Sequence, residues 1–352
     1  MKTAIRSAAR PLQRRALSTA SAATTATTTK PPRHLLSISN LTPTELSTLV
    51  NNATRHRSLG INNFPLSPLA NALSHKNIAL IFSKRSSRTR VSTESAVVAL
   101  GGHPMFLGSG DIQLNVNESL YDTSRVISSM TSGMVARVGP HSDIVGLAKD
   151  STVPVINALC DTHHPMQIIA DFATLTQSYA TTAEGLKGLK IAWVGDANNV
   201  LFDMCIGARK LGIEMAVATP SGYELPAAIK AEIDQAGEGK LSETTSPLEA
   251  VKDADVIVTD TWVSMGQEEE SQKRMKAFAG YQVTEEMARK GGAKKDWRFM
   301  HCMPRHPEEV SDEVFYGGRS LVFPEAENRL WSAISVLEGF VVNGGDIKKT
   351  IV

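Results

Sequence analysis

The rhythm of the chain constrains its fold more than any single residue does. Short apolar runs of strand length are each followed by a longer stretch of helical character. "NIALIF" (77–82), "GMVARVG" (133–139) and "VPVINAL" (153–159) are such runs, and helical stretches at 95–100, 118–130, 141–150 and from 164 onward follow them. After a polar, glycine-bearing segment, "TTAEGLKG" (181–188), the alternation restarts. The second series is "LKIAWVGD" (189–196), "IEMAVATP" (213–220), "ADVIVTD" (254–260) and "WRFMHCMP" (297–304), with helices between. Strands joined through helices lie parallel, because a parallel pair needs a crossover that only a helix-length connection supplies. The pattern therefore predicts an α/β protein of two domains, each a parallel β-sheet flanked by helices, with 181–188 as the linker. A chain of 352 residues suits two cores better than one. Ordered structure is expected from "LTPTEL" (41–46), where Thr42, Pro43 and Glu45 form a helix start with a capping box.

Residues 1–33 are different in kind. They hold seven basic residues and no acidic one, and Arg6, Arg10 and Arg14 recur every four positions among Ala, Ser and Thr. This is the composition of an amphipathic mitochondrial or plastid transit peptide, with a plain basic tail as the alternative. Without them the net charge falls from +1 to −6, so charge gives no case for nucleic-acid binding. No apolar run is long enough to span a bilayer as a helix. The cysteines are three, Cys160, Cys205 and Cys302, too few and odd in number for a disulfide framework.

Chemistry concentrates where strands end. "SKRSSRTR" (83–90) crowds Lys84, Arg85, Arg88 and Arg90 among hydroxyls after the first strand run. A helix N-terminus there would add free N–H groups and partial positive charge. Together these suit a small, doubly charged phosphate or carboxylate; a solvated basic turn is the plainer alternative. Arg137 ends the next run, as a second such cation or as an ordinary surface arginine. "HPMQ" (164–167) sets His164 at a helix start, with Gln167 one turn on. His164 there is a neutral donor able to polarise a carbonyl, or simply a cap. In the second half, Asn198 and Asn199 follow one strand run, and Asp260 ends another. "HCMPRHP" (301–307) follows the last. The amides could hold an amino acid's carboxylate or amine, Asp260 an ammonium group, and Ser264 and Gly266 belong to a loop able to close over a ligand. His301, Cys302 and His306 are too tightly spaced for a structural zinc site. No G-x-x-x-x-G-K-[ST] occurs, and the first strand of the second half lacks G-x-G-x-x-G, which excludes a Walker loop and argues against a nicotinamide-binding enzyme.

In this order, "SKRSSRTR", "HPMQ", "DTWVSMGQEEE" (260–270), "HCMPRHPEEVSDEVFYG" (301–317) and "LVFPEAENR" (321–329) resemble the ornithine carbamoyltransferases over residues 34–345. The first two segments are shared with aspartate carbamoyltransferases and speak for carbamoyl phosphate; "DTWVSMGQE" and "HCMP" speak for ornithine. The resemblance implies transfer of a carbamoyl group to the δ-amine of L-ornithine, giving citrulline and phosphate, without cofactor or metal. It implies a transit peptide over 1–33, a carbamoyl phosphate-binding domain over 34–180 and an ornithine-binding domain over 181–320. A C-terminal helix (321–352) would return to the first domain. Carried over by position, Ser86, Ser87, Arg88 and Thr89 would hold phosphate. Arg137, His164, Gln167 and Arg329 would reach the phosphate or the carbamoyl group. Asn199, Asp260, Ser264 and Met265 would position ornithine. Cys302 would lie beside the reacting amine, Met303 would act through its backbone, and Gln113 would reach in from a neighbouring subunit of a homotrimer. Ser87 and Met303 depart from the commoner Thr and Leu. The mitochondrial matrix is the expected location, and other amines such as putrescine or an N-acylated ornithine are the alternative acceptors.

Overall fold

The computed structural model describes residues 31–60, 69–112, 114, 116, 118–263 and 270–350. The candidates Gln113, Ser264 and Met265, and residues 1–30 of the expected transit peptide, lie outside the described residues. Strands β1 (Asn77–Phe82), β2 (His103–Gly108), β3 (Gly133–Arg137) and β4 (Val155–Leu159) form one sheet in the order β2-β1-β3-β4. Strands β5 (Lys190–Val194), β6 (Glu214–Ala218), β7 (Leu241–Thr244), β8 (Val256–Val258) and β9 (Arg298–Met300) form another in the order β7-β6-β5-β8-β9. Every pairing is parallel. The central strands are buried almost end to end, as strands covered on both faces must be.

The helices follow in chain order. In and around the first sheet they are α1 (Pro43–Gly60), α2 (Ser87–Ala99), α3 (Leu120–Met130), α4 (His141–Asp150) and α5 (Pro165–Tyr179). With the second sheet come α6 (Asn199–Leu211), α7 (Ala227–Ala236), α8 (Pro247–Ala250), α9 (Ser271–Ala277), α10 (Glu285–Gly291) and α11 (Asp312–Phe315), and α12 (Val322–Leu337) closes the series. Every residue of α5 from Pro165 to Thr176 is buried, because the helix is mostly apolar, lies at the centre and pairs its polar groups internally. It packs against α1, α6 and α12. Although α12 follows the second sheet in sequence, it packs on α1, α2 and α5 of the first lobe.

The capping box at α1 is present: Thr42 Oγ1 accepts from the Glu45 N–H (3.2 Å), and Glu45 Oε2 accepts from the Thr42 N–H (2.9 Å). The expected linker is more ordered than its composition suggests. Residues Ala183–Leu186 form a 3-10 turn whose Ala183 and Leu186 are wholly buried. Strands β2 and β7 were not evident in the sequence. Both are sheet edges with broken apolar patterns, "HPMFLG" and "LSET".

Candidate active site

Each sheet has one place where the strand order reverses. In the first, the chain leaves β1 for β2 on one side and then returns to place β3 on the other. In the second the same reversal separates β5 from β8. Loops leaving adjacent strands at such a point part from one another and leave a crevice beyond the carboxyl ends. The residues after β1 and at the end of β3, and those after β5, β8 and β9, line one cleft of about 860 Å³. From the first lobe come Ser86, Arg88, Thr89, Arg137, His164 and Gln167; from the second Asn199, Asp260, Cys302 and Met303; from α12 comes Arg329. Eleven of the twelve described candidates therefore share one cavity. Ser87 is the exception: it is exposed and faces a separate groove beside α12. It is the first residue of α2.

The basic cluster divides. Arg88 turns into the cleft, where Lys84 also lies. Arg85 is exposed. Arg90 lies 3.7 Å over the Phe106 ring and pairs with Glu94 at 2.9 Å. Ser86 is the N-cap of α2, its Oγ accepting from the Thr89 N–H at 3.3 Å. The N-terminus of α2 thus faces the cleft with its macrodipole and the Arg88 guanidinium together. The Arg88 Nη2 donates to the Met303 carbonyl, which joins the first lobe to the loop after β9.

Arg329, 2% exposed, is held from three directions. Its Nη1 donates to Gln167 Oε1 at 2.5 Å and approaches His164 Nε2 at 3.4 Å, and its Nη2 donates to Thr89 Oγ1 at 3.3 Å. An imidazole nitrogen facing a guanidinium donor must be the acceptor, which puts the His164 proton on Nδ1. That Nδ1 is buried and has no hydrogen-bond partner, and the same holds for Arg137 Nε and Arg329 Nε. Burial and the nearby Arg329, Arg137 and Arg88 push the His164 pKa well below its ordinary value, so the ring is neutral. Burial lowers both Arg137 and Arg329 to about 10, still far above neutrality, so both remain cations. The Asp203 carboxylate of α6 fixes His164: its Oδ2 accepts the His164 N–H (2.8 Å), and its Oδ1 meets His163 Nδ1 (2.9 Å).

The second lobe supplies a different chemistry. Asp260 Oδ2 accepts from Asn198 Nδ2 at 2.6 Å, and its Oδ1 accepts from Cys302 Sγ at 3.1 Å. The Asn198 Oδ1 meanwhile caps α6 through the Val200 and Leu201 N–H groups. Asn199 Nδ2 donates to the Cys160 carbonyl (2.6 Å). Burial and the Asp260 charge push the Cys302 thiol well above its ordinary pKa; it is a neutral donor, not a thiolate. Three further groups were not singled out from the sequence. Asp196 pairs with Arg274 at 2.9 Å, and Arg274 donates to the Trp262 carbonyl at 2.9 Å. Buried Glu309 accepts from the Trp262 and His306 N–H groups and meets His301 Nε2 at 3.1 Å. These contacts hold the chain on either side of the 264–269 segment. Asp196 and Arg274 are 78 residues apart in sequence, and Glu309, although inside the 301–317 segment, reaches back 47 residues to Trp262.

One wall of the cleft carries cations, a neutral imidazole and the Gln167 amide; the other carries a carboxylate, a thiol and the Asn198 and Asn199 amides. Residues 33–177 match the carbamoyl-P binding domain of the aspartate/ornithine carbamoyltransferases, and residues 187–339 match their Asp/Orn binding domain. The chain belongs to the aspartate/ornithine carbamoyltransferase family. Within that family it is 64% identical over 340 residues to the mitochondrial ornithine carbamoyltransferase of Aspergillus niger, covering 93% of this chain and 92% of that one. The crystal structure of the mitochondrial ornithine carbamoyltransferase of Coccidioides immitis superposes with a TM-score of 0.85 at 62% identity, covering 90% of this chain and all of the other. The ornithine carbamoyltransferase of Pyrococcus furiosus superposes at 0.81 with 40% identity, covering 89% and 98%. The match to the carbamoyltransferase Asp/Orn domain runs to 339, although in space α12 belongs with the first lobe.

Proposed function

We infer that this carbamoyltransferase moves the carbamoyl group of carbamoyl phosphate to the δ-amine of L-ornithine, giving citrulline and phosphate. The observation that carries the assignment is the meeting of Arg88, Arg137 and Arg329, from three separate stretches, around one cleft with neutral His164. The N-terminus of α2, with Ser86, Arg88, Thr89 and the Ser87 backbone, holds the phosphate. Arg137, Thr89 and the His164 Nδ1–H face the carbonyl oxygen, and Gln167 orients the group. Asp260, with Asn199 and the Ser264–Met265 segment, takes the amino-acid end of ornithine. Cys302 and the Met303 carbonyl lie beside the reacting amine.

The δ-amine attacks as a free base. Its lone pair forms the new N–C bond, the carbonyl electrons move onto an oxyanion, and their return expels phosphate with the C–O bond pair. The nitrogen then gives up its extra proton to the departing phosphate. Because the leaving group is already good, rate comes from alignment and from fixed donors at the oxyanion and the phosphate. Cys302, held as a thiol, donates a hydrogen bond and forms no carbamoyl-thioester.

Residues 1–33 direct the protein to the mitochondrial matrix. The enzyme works as a homotrimer in which Gln113 of one subunit completes its neighbour's site. Val91 and Val98, seven residues apart on α2, are 62% and 58% exposed and share a face that such an interface would cover. The test is to mix protein lacking residues 1–33 with carbamoyl phosphate and ornithine and to measure citrulline and phosphate. Equal amounts of both are expected. No citrulline, or faster turnover with putrescine or N-acetylornithine, would overturn the assignment.

A further inference from the structure

Gln167 stands between two unlike neighbourhoods. Its Oε1 accepts from Arg329, while its Nε2 donates to Asp171 Oδ1 (2.8 Å) and to Glu325 Oε1 (3.1 Å). All four residues are almost wholly buried. The other Glu325 oxygen accepts the N–H of His301 at 3.0 Å, directly before Cys302. Asp171 Oδ2 is buried without a hydrogen-bond partner. An amide side chain has two nearly isosteric orientations, and only its surroundings choose between them. Here the choice is forced. Reversing Gln167 would point its NH₂ at a guanidinium and its oxygen at a carboxylate, so that attractive contacts became repulsive.

Two carboxyl groups sharing one donor in a buried site cannot both be charged. Burial lifts Asp171 to about 7, and burial together with the Asp171 charge lifts Glu325 well above the carboxylate range. One proton between them leaves a single negative charge beside Arg329, which lies one turn after Glu325 on α12. We propose that Asp171 and Glu325 are positioning residues for the carbamoyl phosphate half of the site: sharing one proton, they lock Gln167 in the orientation that holds Arg329 against Thr89 and His164. The proposal rests on the assignment of that half-site to carbamoyl phosphate.

The experiment uses the full chain carrying E325Q, D171N or both, with steady-state kinetics in each substrate and infrared difference spectra (wild type minus variant) at neutral pH. Glutamine at 325 has one oxygen and cannot accept from both Gln167 and His301. E325Q should therefore lower kcat/KM for carbamoyl phosphate by about 10- to 100-fold, as expected for a buried donor left unpaired. KM for ornithine should move by less than about threefold. D171N keeps an acceptor for Gln167 and lets Glu325 carry the charge, so its loss should be smaller, about threefold. The double variant should lose at least as much as E325Q. Both single variants should remove a protonated-carboxyl band present in the wild type. Wild-type kinetics in E325Q, a loss confined to ornithine, or difference spectra without that band would overturn the proposal. If circular dichroism shows E325Q unfolded, D171N decides, since a carboxylic acid band undiminished in that variant is incompatible with one shared proton. A wild-type enzyme that makes no citrulline removes the underlying assignment. A working wild type with an unaffected E325Q removes only the role given to the acid pair.

Discussion

Arg137 closes β3 with its guanidinium in the cleft and its Nε unpaired, so its removal takes a fixed cationic donor out of the cleft. Arg137→Ala should lower kcat by at least about 100-fold, checked by citrulline formation at saturating substrates; near-normal turnover would show that the residue serves another purpose. The pH profile follows from the same groups. His164 is neutral because its pKa lies well below the ordinary value, Cys302 stays a thiol because its pKa lies well above, and Arg137 and Arg329 remain cations up to about 10. None of the four changes charge between about pH 6 and 9; Asp171, lifted to about 7, loses its proton early in that range, and an ornithine ammonium of pKa about 10.4 becomes steadily less protonated throughout it. Activity should climb across this range, and a flat profile would contradict attack by the free amine. His164 and Cys302 were legible in the sequence because unusual types crowd into short stretches at strand ends, whereas Arg329, on a helix, was reached only through the family resemblance. Asp171, Asp203, Glu309 and Glu325 were not legible: Asp203 and Glu325 act on groups 39 and 158 residues away, Glu309 reaches Trp262 47 residues away as well as nearby His306, and Asp171, one turn from Gln167, is a lone acid in a largely apolar helix.

At the scale of elements, propensity and capping reproduced most of the structure. The Thr42–Glu45 box, the Pro165 start of α5 and the Asn198 cap of α6 all follow from side-chain oxygens or fixed φ values acting within one turn. Thr42→Ala should cost about 1 kcal/mol of stability and leave turnover unaltered, measured by urea denaturation beside a citrulline assay. In the chain that keeps residue 33, a side-chain hydrogen bond from Arg33 holds the Glu45 carboxyl at about 2, a contact that the form lacking residues 1–33 gives up. A depressed carboxyl stabilises the fold above its unfolded pKa, and the contribution fades as pH falls through the folded one, so this cap should persist in mild acid. Strand ends were harder to place. The runs at 254–260 and 297–304 extend past β8 and β9 because the residues directly beyond the sheet, Thr259, Asp260 and His301, are buried as well. Edge strands β2 and β7 escaped notice because they bury too little for an apolar period to show.

For the whole molecule, the two lobes are tied by Arg88 to Met303, by Asn199 to Cys160 and by Asp203 to the start of α5. The proposed trimer makes a separate demand. Val91→Asp with Val98→Asp should yield a monomer by light scattering and should cost activity, since each site would lose its neighbour's Gln113; a trimer that survives both charges would place the interface elsewhere. The first lobe is also not a continuous piece of chain. It is sealed by α12 and by the segment after it, where Thr350 donates from its N–H to Asn52 Oδ1, and Asn52 Nδ2 donates to the Lys348 carbonyl. Until α12 docks, apolar faces of α1, α2 and α5 stand bare, while every strand of the second sheet precedes α12 in the chain and can pair without it. Closing the first lobe therefore waits on a segment that lies beyond the whole of the second sheet.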